Sequence, residues 1–102
     1  MKLTKSSLIR LGLGHLLVGT YIKVPAFFSK KVDLLFLDEV QVIAFVACRY
    51  LNDFRVYQRV MIVLNQLVDY YQKPVVLYCV SYRSFITQEK VYQVFKKHPK
   101  MM

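Results

Sequence analysis

Tryptophan is absent, and the 102 residues include only three glycines, three prolines and 6 acids against 15 Lys and Arg. Few Gly and Pro beside 56% hydrophobic and 15% aromatic residues exclude a disordered linker or a collagen-like rod. The two cysteines, Cys48 and Cys79, form no CxxC pair, and His15 and His98 lie far apart, so no metal centre is expected. Both cysteines sit in apolar runs, AFVACRY and VVLYCVSY, and are read as buried, unreactive free thiols of a cytosolic protein rather than as a disulfide. No run reaches the ~18 uncharged apolar residues that a spanning helix needs. The opening MKLTKSSLIRLGLGHLLVG is basic and then apolar, but Arg10 and His15 interrupt it and no small-residue cleavage site closes it. A secretory signal is therefore not expected, and an acid-free amphipathic leader of the organellar kind is the other reading.

What is present is a core. A chain of this length folds as one domain and buries roughly 60 to 70% of the surface exposed by its unfolded form. The expected organisation is a single domain over residues 1–102, with a basic N-terminal segment 1–31 ahead of an α/β core 32–102. The first 31 residues carry Lys2, Lys5, Arg10, Lys23, Lys30 and Lys31 and no acid, and Arg83 to Lys100 adds five cations against Glu89. Such an excess suits nucleic acid, anionic lipid or an acidic protein as partner, or a solvated basic surface with none.

The apolar spacing predicts the elements. Leu3, Leu8, Ile9, Leu11, Leu16 and Leu17 outline a loose helical face, with Ser6 or Ser7 as the cap, weakened by Gly12, Gly14 and Gly19. An extended connection broken by Pro25 follows, its Phe27 and Phe28 directed into the core. Val32–Leu37 and Val40–Leu51 read as a hairpin about Asp38-Glu39, the second strand central in the sheet. Val60, Val63, Leu64, Leu67, Val68 and Tyr71 keep the i, i+3, i+4, i+7 spacing of an amphipathic helix that stops at Pro74. PVVLYCVSY is then a buried strand, parallel to its neighbour through that crossover helix. A last helix is predicted from Thr87, with Ile86 and Val91 as a hydrophobic staple and Lys96, Lys97 and His98 at its end. The fold class is α/β (α+β): N-terminal helix, mixed sheet with a hairpin, crossover helix, buried strand, C-terminal helix.

This order, carried by about Leu35 to Phe95, resembles the GNAT family of N-acetyltransferases. In that family a Q/R-x-x-G-x-G/A motif opens the central helix and its N–H groups hold the coenzyme A pyrophosphate. Here Gln58-Arg59-Val60-Met61-Ile62-Val63 stands at the corresponding place, with Met61 and Val63 where glycine, and glycine or alanine, belong. The resemblance thus implies a degenerate GNAT-like shell of the kind found in small bacteriophage proteins, including an internal virion protein of short-tailed phages. Gln58 and Arg59 are the candidates it offers for acetyl-CoA contact, and Tyr82 is the counterpart of the late tyrosine that protonates the leaving thiolate.

From the residues themselves, the candidate partner-binding cluster is Arg49, Tyr50, Arg55, Tyr57 and Arg59, with Phe54 among them and Lys96 and Lys97 further on. Cations alternating with aromatics suit phosphate contact and base stacking. The first expectation is a small, basic, non-catalytic interaction protein of phage or mobile-element type that binds a protein assembly or nucleic acid and is cytoplasmic or virion-associated. An acetyl-CoA-dependent N-acetyltransferase with an atypical cofactor loop is the second. A structural or virion subunit, using Phe27, Phe28 and the N-terminal segment as an interface, is the third. No catalytic residue and no metal is assigned.

Overall fold

A computed structural model describes the backbone of residues 3–48, 54–83 and 86–94, with side chains through Ser81. The chain opens with α1 (Lys5–Arg10), a 3-10 turn (Gly14–Leu16), β1 (Thr20–Ile22), a second 3-10 turn (Ala26–Phe28), β2 (Leu34–Leu37) and β3 (Val42–Ala47). It continues through α2 (Phe54–Tyr71), β4 (Val75–Arg83) and β5 (Ile86–Val94). The five strands form one mixed sheet in chain order, antiparallel except for the β3–β4 pair, which is parallel. A parallel pair needs a crossover, and α2 supplies it. The α/β class, the hairpin and the central place of β3 are as expected.

Alternation along the strands gives the sheet two apolar faces. Leu35, Val42, Ala44, Val75, Leu77 and Cys79 face α2, which buries Val56, Val60, Val63, Leu64, Leu67 and Val68 against them. Each such aliphatic side chain contributes about 1.5–3 kcal/mol on burial, so this stripe dominates the stability of the layer. Leu34, Phe36, Ile43, Phe45 and Val80 point to the other face and are covered by Leu3, Leu8 and Leu13 of the N-terminal segment. The result is three layers: a long helix, the sheet, and a short N-terminal cover.

Several local details differ from the sequence reading. The cap of α1 is Thr4, whose hydroxyl accepts from the Ser7 amide while Ser7 Oγ lies 2.7 Å from the Thr4 amide, a reciprocal pair that lets the helix start earlier than a Ser6 or Ser7 cap allows. Phe28 is fully buried, but Phe27 is 60% exposed, because the 3-10 turn directs the two neighbours to different sides. The hairpin loop takes in Asp38 to Gln41 and pairs Leu37 with Val42. Asp38 Oδ1 accepts from the amides of Val40 and Gln41, which fixes the turn without glycine.

The predicted C-terminal helix is corrected: Ile86 to Val94 is a strand, paired antiparallel with β4 from Val75↔Val94 to Arg83↔Ile86. Nine residues of ladder along an otherwise open strand outweigh a local cap and staple. Lys96, Lys97 and His98 lie outside the described residues.

Candidate basic and aromatic surface

Asp33 is the structural hinge of the site. Just before β2, its amide donates to the Phe45 carbonyl at 2.9 Å, and its Oδ2 accepts from the amides of Ala47 at 3.1 Å and Leu3 at 3.0 Å. One carboxylate thereby fastens the N-terminal cover to the end of the β2–β3 ladder. Asp33 also forms part of the wall of two clefts.

The first cleft, about 300 Å³, opens where the carboxyl end of β3 (Val46, Ala47, Cys48) meets the first half of α2 (Val56, Arg59, Val60, Val63). Lys30 and Lys31 close it from the loop before β2. The second, about 580 Å³, lies between the start of α1 and β1, with Lys5, Tyr21 and Lys23 in its lining. Five cations from separate parts of the chain, Lys5, Lys23, Lys30, Lys31 and Arg59, therefore border two clefts whose shared acid, Asp33, is already held by two backbone amides.

Aromatic rings accompany the cations. Lys5 Nζ stands 4.8 Å from the centroid of Tyr21, and Lys31 Nζ 4.2 Å from that of Phe27. Tyr21 is 49% and Phe27 60% exposed, so each ring remains partly accessible to a partner although it also meets Phe36 or Phe28 edge-on. At the start of α2, Phe54 and Tyr57, one turn apart, stack on each other with centroids 6.4 Å apart and planes inclined by 22°. Lys31 Nζ also reaches Gln66 Oε1 at 3.4 Å, tying this loop to α2.

The structure brings together only part of the sequence-derived cluster. Arg55, Tyr57, Gln58 and Arg59 are all exposed on the first turns of α2, whereas Arg49, Tyr50, Lys96 and Lys97 fall outside the described residues. Tyr82 lies in β4, opposite Thr87. Gln58 to Val63 sits inside α2 rather than ahead of it, so its amides are engaged in helical bonds; Val60 and Val63 are buried and Met61 packs against the core. Lys5, Tyr21, Lys23, Lys30 and Lys31 lie outside the cluster the sequence suggests around Arg59, their signal being the acid-free composition of residues 1–31; Phe27 belongs to the separate interface expected with Phe28 and the N-terminal segment.

The cysteines also divide. Both are free thiols, but only Cys79 is buried; Cys48 is partly exposed in the first cleft. The hydrogen bond from Cys79 holds the Cys48 thiol below its ordinary pKa, partial burial acts in the opposite sense, and the charge of Arg59 adds to the lowering. Among the described residues no three His, Cys, Asp or Glu side chains gather as a metal-binding group, and no helix is long and apolar enough to cross a membrane. Searches of protein-family models, curated proteins and solved structures found no match to this chain.

Proposed function

We propose that this protein is a non-catalytic module that binds single-stranded nucleic acid along the two basic clefts. The observation that carries the reading is the pairing of lysines with partly exposed aromatic rings, Lys5 on Tyr21 and Lys31 on Phe27, together with Arg59 in the first cleft and the stacked Phe54 and Tyr57 exposed at the start of α2. Cations meet phosphates and rings accept bases, and stacking tolerates any sequence. A folded acidic protein would use the cations but has less use for open rings.

Fluorescence anisotropy with a labelled single-stranded oligonucleotide tests this. Each neutralised phosphate contributes about −0.7 to the slope of log K against log salt, so five contacts give roughly −3.5, or about a hundredfold loss of affinity between 50 and 200 mM salt. Replacing Lys30 and Lys31 by Gln should flatten the slope by about 1.4. Phe27→Ala should weaken binding with little change in slope, by about 1–3 kcal/mol if one base stacks there. A flat salt response would remove the reading, and equal affinity for polyglutamate would transfer the surface to an acidic protein partner.

A second reading, acetyl-CoA binding in the first cleft, is favoured by one feature: the cleft sits at the carboxyl end of a strand joined by a crossover helix, where α/β folds seat anionic cofactors. A rise in melting temperature with millimolar acetyl-CoA would support it, since a ligand of the native state must stabilise that state. An unchanged melting temperature would end it.

A further inference from the structure

Cys48 and Cys79 lie on adjacent parallel strands, where Cys79 is in register with Val46, two residues before Cys48 and on the same face of the sheet. The Cys48 amide donates to the Val80 carbonyl at 3.0 Å, and its Sγ lies 3.9 Å from the same oxygen, so the thiol is held at the end of the ladder. Cys79, 1% exposed, is sealed beneath α2, while Cys48 lines the first cleft with Lys30, Lys31, Asp33 and Arg59.

We infer that Cys48 is a covalent modification site, in which the thiol exchanges with a small disulfide bearing carboxylates that Lys30, Lys31 and Arg59 receive. Three features of the geometry support this: a partly exposed cysteine, a cleft of about 300 Å³ that it lines, and, among the described residues, three cations against one acid in that lining. The acid, Asp33, is already engaged by the Leu3 and Ala47 amides. The thiolate of Cys48 attacks one sulfur of the incoming disulfide, the Cys48–sulfur bond forms as the disulfide bond breaks, and the departing thiolate takes up the proton that Cys48 released. No further oxidant is needed, because the incoming disulfide is the one reduced. The hydrogen bond from Cys79 and the field of Arg59 favour the anionic sulfur that the attack requires. Cys79 has no route to solvent and takes no adduct.

This inference does not use the nucleic-acid reading, which the oligonucleotide assay tests on the reduced chain. Glutathione disulfide is the carboxylate-bearing probe and cystamine its cationic counterpart; intact mass and peptide mapping follow the adduct. Each rate is divided by that of the same chain in denaturant, which removes the intrinsic reactivity of the reagent. The normalised rate at Cys48 should be about tenfold or more higher for glutathione disulfide at low salt, the scale of electrostatic focusing in a charged cleft. Arg59→Gln and the double change Lys30→Gln with Lys31→Gln should each erase most of that preference, and Cys48→Ser should abolish the adduct. Because the three cations sit at the protein surface, their variants report even if Cys48→Ser fails to fold. Equal normalised rates for the two reagents, an adduct at Cys79, or no adduct at Cys48 under conditions that modify the denatured chain would overturn the inference.

Discussion

Asp33 shows a side chain standing in for a strand. Its Oδ2 receives the Ala47 amide where the β2–β3 ladder ends, and the Leu3 amide from the N-terminal cover reaches the same oxygen. Hydrogen bonds to a charged acceptor contribute more than neutral ones, so Asp33→Ala should cost about 2–3 kcal/mol in denaturant unfolding. Asp33→Asn, which can still present an oxygen to both amides, should lose roughly 1 kcal/mol. Equal losses for the two variants would show that packing, not acceptance, is what this residue supplies.

Asp38 acts through protons instead. The amides of Gln41 and Val40, and more weakly the charge of Lys73, hold its carboxyl below the ordinary carboxylate range, against a small opposing effect of burial. A depressed folded-state pKa gives stability that is complete above the unfolded value, near 3.9, and is lost as pH falls through the folded value. Asp38→Asn keeps the acceptor and removes the titration. The stability gap between wild type and this variant should therefore be constant from neutral pH to about 5 and close below about pH 4. A gap that persists unchanged to pH 2 would show that this turn does not couple to protons.

Among the elements, α2 is legible because Val60, Val63, Leu64, Leu67 and Val68 keep the helical spacing and are all buried against the sheet, with Tyr71 partly buried at the end of the same stripe and Val56 added at its start. Leu64, fully buried, should cost about 3 kcal/mol when cut to Ala, while Asn65→Ala on the exposed side should stay within about 0.5 kcal/mol. Circular dichroism with urea titration checks both. Local strength misled at the other end: Thr87, Ile86 and Val91 form a good helix-start pattern, yet β4 offers its free edge along nine residues, and that pairing is invisible to a local window. The basic track was illegible for a related reason. Lys5, Lys23, Lys30 and Arg59 are separated in sequence, and only the pairing of β1 with β2 and the loop packed on α2 bring them to two neighbouring clefts. The apolar neighbours of Cys48 predict burial, but it stands one residue past the end of β3, on the border of the first cleft, and is therefore only partly covered.

Glycines mark the joints between elements. Gly19 leads into β1 with φ of +95°, and a Cβ there would lie 3.0 Å from the Leu37 carbonyl oxygen, so Gly19→Ala meets both backbone strain and a collision. Gly12, with φ of +82°, has open space around it. The expected losses are about 2–3 kcal/mol and about 1 kcal/mol respectively, read from unfolding midpoints.

The whole molecule, 47 × 31 × 23 Å with a radius of gyration of 13.5 Å, places a long helix on one face of its sheet and a six-residue helix with its flanking turn on the other. The sheet is thus unequally guarded. Were residues 1–17 clipped off, Leu34, Phe36, Ile43, Phe45 and Val80 would form a bare aliphatic and aromatic plane, while the charged track would retain Lys23, Lys30, Lys31 and Arg59. Light scattering of such a shortened chain should show particles growing with concentration. The N-terminal cover therefore governs colloidal behaviour: proteolytic trimming of residues 1–17 would bare a sticky face and, by removing Lys5 and one wall of the second cleft, would leave the first cleft as the remaining part of the surface proposed to hold the ligand.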